Sequence, residues 1–548
     1  MTTTSACAEH QAEGTRFRSL VRALLLAALL PVPLLAAPCD PPILNPIVCE
    51  NSLTGNPSSE WNVSGAGDAT IQGFASDISV NQGETVHFKV NTDATAYRLD
   101  IYRLGYYAGM GARKVATVLP SATLPQTQPA CLNDPATGLN DCGNWAESAS
   151  WAVPANAVSG IYIARLVRTD TLGASHIVFI VRADGAGAPL LFQTSDTTWQ
   201  AYNTYGGNSL YAGGPGVSPG RAYKVSYNRP FTTRGTTPED WLFNAEYPMV
   251  RWLEANGYNV SYFAGVDSDR RGSEILNHQV FLSVGHDEYW SGGQRANVEA
   301  ARAAGKHLAF FSGTESFWKT RWEASIDGSG TSYRTLVSYK ETHANAVIDP
   351  QDPPTWTGTW RDPRFSPPAD GGRPENALSG NIFMVNGSCT TCYPMQVSAD
   401  KGVLRFWRNT TVANLTGESV ATFPPGILGY EWDEDLDNGF RPPGLFEMSS
   451  MTFSVPSLLQ DYGSTYGAGT AIHSLTFYKH SSGALVFGAG TIQWSWGLDS
   501  NHDRGNAAPD IRIQQATVNL LADMGVQPGS LQGGLTTATA SADNTPPV

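Results

Sequence analysis

The run VFLSVGHDEYWSGGQR, residues 280–295, decides how this chain is read. Val280 to Val284 is apolar except for Ser283, the pattern of a short strand buried on both faces. An imidazole and two carboxylates, His286, Asp287 and Glu288, follow where such a strand must end. Ser291, with Gln294 three residues on, is a capping box that opens a helix closed by Gly305, and His307 to Phe311 reads as the next strand. Strand, helix and strand in that order predict a βαβ unit and a largely parallel sheet covered on both faces. Ligands bind such sheets beyond the carboxyl ends of the strands, so the three ionisable groups stand where a site belongs. The alternative use of a carboxylate, capping the helix, is already filled by Ser291.

Outward from this unit the α/β rhythm continues. Leu190 to Gln193 and Asn259 to Phe263 are strand candidates, and Thr237-Pro238-Glu239-Asp240 opens a helix reaching about Asn256, with Gly257 at its end. Before residue 184 the rhythm differs. Segments such as Glu84 to Val90, Tyr97 to Arg103, Ile161 to Val167 and His176 to Val181 are separated by turn residues, the spacing of an antiparallel β-sandwich.

The expected organisation is a signal peptide over 1–37, a sandwich domain over 38–183, a linker over 184–189 and an α/β domain over 190–528. That domain carries a β-rich insertion at about 330–500, which holds Trp356, Trp360, Trp407, Trp432, Trp494 and Trp496, and a last helix from about Asp510 to Met524. Residues 529–548 read as a disordered tail, or as a linker to further extracellular modules.

With 548 residues, 41% of them hydrophobic, the chain can bury large cores. Its net charge is -14 and its basic residues do not cluster, which argues against nucleic acid or an anionic membrane as partner. Arg16, Arg18 and Arg22 precede the apolar run Ala23 to Leu30, the layout of an export signal. No later run is long enough to span a bilayer, so a secreted or periplasmic protein is expected. Without Cys7 the cysteines fall into three local pairs, 39 with 49, 131 with 142 and 389 with 392, most simply three short-loop disulfides.

His286-Asp287-Glu288 and Cys389-Thr390-Thr391-Cys392 together mimic a zinc deaminase, but Ser388 stands where proline is expected and export favours a disulfide. Asp433 to Gly439 imitates the start of a calcium loop without its spacing; it reads as a solvated acidic turn, with opportunistic calcium as the alternative. No serine-hydrolase elbow, Walker A loop or dinucleotide fingerprint is present.

SVGHDEYWSGGQR (283–295), together with SGIYIARL (159–166), WQAYNTYGG (199–207) and DIYRLGYYAGMGAR (100–113), resembles the large (beta) subunit of the N,N-dimethylformamidase family. The resemblance implies a sandwich followed by a glutamine-amidotransferase-like α/β domain, and a mononuclear Fe(III) held by two tyrosinates and a glutamate. Carried over, Tyr162, Tyr202 and Glu288 are the ligands and His286 lies beside the metal. Glu431, in LGYEWD, is the acid that positions or deprotonates water. Taken alone, either tyrosine reads as a packed aromatic with its hydroxyl on backbone.

The family also implies a small partner subunit, and a homo-oligomer is left open. The expected function is an exported, metal-dependent amidohydrolase that cleaves the C–N bond of a small amide or formamide. The competing reading is a non-catalytic secreted glycan-binding protein whose tryptophans are stacking platforms.

Overall fold

The computed structural model describes residues 37–217, 219–340, 347–351, 355–364, 372–387, 389, 393–505 and 507–542. The expected signal peptide up to residue 36, Cys392 and the last six residues lie outside the described residues.

The amino-terminal part builds two sheets. One joins Ile71–Ala75, Thr85–Thr92 and Ala149–Ala152; the other joins Ser79–Asn81, Ala174–Arg182, Gly160–Arg168, Tyr97–Leu104 and Ala112–Val118. Their shared core takes Val86, Phe88 and Val90 from the first sheet and Leu99, Ile101, Tyr162, Ala164 and Phe179 from the second. Because side chains alternate along a strand, Ile161, Ile163, Val178 and Ile180 face the opposite way and pack with the α/β region. The second sheet is therefore a wall shared by both cores, which is why residues 177–181 run apolar without alternation.

A fully buried ion pair crosses this boundary. Arg103 donates to both carboxylate oxygens of Glu254, at 2.9 and 2.7 Å, and Glu254 also accepts from the hydroxyl of Tyr262 and the amide of Asn51.

The central sheet has seven strands in the order Val260–Ala264, Leu190–Thr194, Val280–His286, His307–Gly313, Leu485–Gly488, Thr476–Lys479 and Phe446–Glu447. The first five are parallel; Thr476–Lys479 pairs antiparallel with Leu485–Gly488, and Phe446–Glu447 pairs antiparallel with Thr476–Lys479. Helices Leu242–Ala255, Gly292–Ala303 and Ile511–Asp523 accompany it, and two of them start as their sequence dictates. The Ser291 hydroxyl accepts from the Gln294 amide at 3.1 Å, and the Asp510 carboxylate accepts from the Arg512 amide at 2.8 Å.

Two expectations change. The stretch from about 330 to 500 is not one inserted layer, because Thr476–Lys479 and Leu485–Gly488 belong to the central sheet. Around them, Ile382–Asn386, Glu431–Glu434, Tyr466–His473 and Met451–Leu459 close into a small barrel. The tail is also ordered past residue 529. The backbone of Thr536 exchanges two hydrogen bonds with the Gln515 amide, Ala538 is buried, and Arg408 reaches the Thr539 carbonyl at 3.0 Å.

Cys39 is bonded to Cys49 and Cys131 to Cys142, and Cys389 is also in a disulfide. Among the described residues no helix is long and apolar enough to cross a membrane.

Candidate metal centre

Three neighbouring parallel strands deliver their carboxyl ends to one place. After Leu190–Thr194, helix Asp196–Ala201 leads to Tyr202, and the chain then folds back so that the Leu210 amide donates to the Ala201 carbonyl at 3.0 Å. This stacks the rings of Tyr202 and Tyr211 with centroids 4.1 Å apart.

Strand Val280–His286 turns out of the sheet through Gly285, whose φ of +82° suits glycine and which lies tight against Ala245. Asp287 then points down to the Gln193 amide and the Ser283 hydroxyl, and Glu288 points into the site. After His307–Gly313 come Thr314 and Ser316, both left-handed at φ +53° and +51°; strain in non-glycine residues of this kind gathers at functional sites. A fourth contribution, Glu431, is the first residue of barrel strand Glu431–Glu434.

Glu288 is the hub. The Trp318 indole N–H donates to its Oε1 at 2.7 Å, the Tyr211 hydroxyl lies 3.1 Å from each oxygen, and the Tyr202 hydroxyl is 3.4 Å from Oε2. His286 spans the remaining acids. Its Nδ1 is 2.9 Å from Asp240 Oδ1, which also accepts from the Tyr430 hydroxyl, and its Nε2 is 3.0 Å from Glu431 Oε2 and 3.5 Å from Glu288 Oε2. The Thr314 hydroxyl donates to Glu431 at 2.7 Å.

Behind the phenols, the buried Lys340 ammonium lies 3.3 Å from the centre of the Tyr211 ring. It donates to the Tyr289 hydroxyl at 2.7 Å, and that hydroxyl donates to the Tyr211 oxygen at 2.6 Å.

Burial and the Glu288 charge push both the Tyr202 and Tyr211 phenols well above the ordinary tyrosine range. Burial also raises the Glu288 carboxyl, against the pull of His286 and Lys340. Burial alone would depress the His286 imidazole, but Glu431, Glu288 and Asp240 crowd it and hold it well above its usual value. Burial lowers Lys340 far below an ordinary lysine, against the attraction of Glu288.

The carboxyl groups of Asp240, Glu288 and Glu431 thus face the His286 imidazole and the Lys340 amine. The Nε2 of His286 is buried and makes no well-aligned hydrogen bond among the described residues. Single ligand atoms of His286, Glu288 and Glu431 lie within 4.8 Å of one another, the spacing of a possible metal site.

Of the residues expected from sequence, the structure brings Tyr202, Glu288, His286 and Glu431 together and leaves Tyr162 out. The Tyr162 ring packs on Trp151 and Phe179 inside the sandwich, and its hydroxyl donates to the Val158 carbonyl at 2.7 Å. Strand parity sends it there: its neighbours Ile161 and Ile163 take the α/β side. The second phenol beside Glu288 is that of Tyr211. The sequence offered it only as one of several tyrosines in a glycine-rich loop. Trp318, Lys340, Asp240 and Thr314 carried no local signal, because each reaches the site from a distant segment.

Two other expectations fall. The acidic run 433–439, expected as a solvated turn, is solvated only from Asp437 on: Asp433 is buried on its strand, accepting from the Thr314 amide, and Asp435 is paired with Arg441. Trp356, Trp360, Trp407, Trp432, Trp494 and Trp496 are all 0% exposed, so they offer no stacking platforms and the glycan-binding reading loses its basis.

No curated protein matches the chain. A family model described as N,N-dimethylformamidase beta subunit-like, C-terminal, matches residues 98–507, from within the sandwich through the barrel and the last strands of the central sheet. The chain belongs to that family.

Proposed function

We propose that this protein is a metal-dependent amidohydrolase that cleaves the C–N bond of a small amide or formamide. The observation that carries the reading is the convergence of the Tyr202 and Tyr211 hydroxyls on the Glu288 carboxylate. Two phenols and a carboxylate are hard oxygen donors of the kind that suits Fe(III), and the surplus of carboxylates around them favours a cation. Tyr202, Tyr211 and Glu288 would hold the ion, with His286 and Glu431 facing it. When bound, the ion supplies Lewis acidity, polarising the substrate carbonyl and acidifying water.

The remaining steps belong to the chain. Glu431, oriented by the Thr314 hydroxyl, accepts a proton from the attacking water. His286, fixed through Nδ1 by Asp240, presents Nε2 to the reacting groups and delivers a proton to the departing amine. Water adds to the amide carbon, the C–N bond breaks, and acid and amine leave. The aromatic walls of Tyr202, Tyr211 and Tyr430 keep the reacting groups away from bulk water.

The test is metal analysis with a visible spectrum. Protein prepared with iron present should bind about one ion and absorb in the visible through phenolate-to-iron charge transfer, and Tyr202→Phe should lose most of that band. Folded wild-type protein with neither metal nor band would overturn the reading.

A further inference from the structure

Arg229 follows the short strand Lys224–Ser226, is fully buried, and has no ion-pair partner among the described residues. A buried guanidinium is costly unless its N–H groups find acceptors; Nε has none among the described residues, and the acceptors of Nη1 and Nη2 are carbonyls of the end of helix Asp196–Ala201 and the loop that follows it. Nη1 donates to the carbonyls of Tyr205 at 3.0 Å and Asn208 at 2.9 Å, and Nη2 donates to that of Gln200 at 3.2 Å. That loop carries Tyr202 and leads directly into Tyr211.

The residues around Arg229 hold the same loop. The Asn203 amide donates to the Pro230 carbonyl at 2.9 Å, and its oxygen accepts from the Thr232 amide at 3.0 Å. Asn228 is itself anchored elsewhere: its carbonyl accepts from the Cys142 amide at 2.7 Å and its side-chain amide donates to Asp141 at 3.0 Å. The anchor is therefore the hairpin of strands Leu132–Asp134 and Leu139–Asp141, closed by the Cys131–Cys142 disulfide.

We propose that Arg229 is a positioning residue for the two phenols: it clamps the backbone of residues 200–208 so that Tyr202 and Tyr211 meet Glu288 with their hydroxyls already converged. The inference rests on the metal-site reading for its effect on iron, but the clamp acts on the loop whether or not a metal is bound. A guanidinium suits the task because its planar fork reaches three carbonyls at once, whereas an ammonium on a flexible stem holds fewer in a fixed geometry. Without the clamp, ordering a loop that includes Gly206 and Gly207 would fall on the metal-binding step itself.

The test compares wild type, Arg229→Met and Arg229→Lys by two readouts. The first is the iron dissociation constant, followed by the visible band. Arg229→Met is expected to weaken binding by roughly 10- to 100-fold, the range for residues that orient ligands, with a shifted and broadened band. Arg229→Lys should fall between it and wild type. The second readout is amide hydrogen exchange of residues 200–208 in metal-free protein, which should quicken by roughly tenfold or more in Arg229→Met while the central strands keep their protection.

If Arg229→Met does not fold, Arg229→Lys alone decides by the same two measurements. Wild-type exchange in that loop, for whichever variant folds, overturns the clamp. Faster exchange with unchanged iron affinity overturns its role toward the phenols. A wild type that binds no iron removes the metal reading instead, and the exchange measurement still judges the clamp.

Discussion

Tyr162 and Tyr211 are both set among aromatic rings, yet they live in different electrostatic worlds. In the sandwich, the Tyr162 hydroxyl is satisfied by a carbonyl four residues earlier, and its ring packs against Trp151 and Phe179. At the strand ends, Tyr211 shares its carboxylate partner with Tyr202 and Trp318, accepts from Tyr289 and lies under an ammonium. In the first place every polar need is met locally. In the second, the Tyr202, Tyr211 and Trp318 donors compete for the two oxygens of one buried carboxylate. The contrast separates a tyrosine that supports packing from one able to serve chemistry.

The largest expected effect tests that contrast directly. Tyr211→Phe should lower metal affinity by roughly 100-fold or more and abolish turnover, as removing a ligand exceeds the loss seen for residues that only orient one. Tyr162→Phe should leave metal and turnover untouched and lower stability by ~0.5–1.5 kcal/mol, the net worth of its one hydrogen bond to the part-buried Val158 carbonyl. Metal titration and thermal melts on both variants read the outcome. Iron lost from Tyr162→Phe but retained by Tyr211→Phe would reverse the assignment.

The next effect concerns the boundary between the two regions. Glu254→Gln leaves Arg103 buried without its counter-charge and is expected to destabilise the protein by about 3–5 kcal/mol. Urea unfolding would show this as a lower midpoint, and an unchanged midpoint would mean that the pair is not sealed from water.

The smallest effect lies on the sandwich side, where charges are held in pairs. Burial alone would raise the Glu50 carboxyl, but the hydrogen bond from Arg113 and the charge of Arg103 outweigh it and hold it below its ordinary value. A depressed carboxyl contributes stability that is present above its unfolded value and lost as pH falls through the folded one. Melting temperatures measured from neutral pH down to about pH 3 should therefore fall less steeply in Glu50→Gln than in wild type. Parallel slopes would remove Glu50 from the acid response.

Much of this architecture is written in local signals. The capped helix after Ser291, the apolar run before His286 and the alternating segments of the sandwich each announce their element, and Glu288 and His286 lie at the carboxyl end of their strand as that order implies. What stayed hidden depends on parity and on distance. A tyrosine within Ile161-Tyr162-Ile163 can face either side of a sheet that is buried on both, and nothing within the strand says which core it enters. Lys340 and Trp318 meet Tyr211 and Glu288 only after the intervening chain has folded. The barrel was unreadable for the same reason, since its strands are interleaved with others that join the central sheet.

The crossing of Arg103 to Glu254 bears on how the gene can be divided. Asp184 to Pro189 looks like the natural place for a cut, yet a fragment beginning at Leu190 would inherit a buried acid without its base, and the complementary piece would bare the Ile161, Ile163, Val178 and Ile180 face to water. Recombinant work on the α/β half should therefore carry the sandwich with it, as an internal scaffold and not as a detachable module.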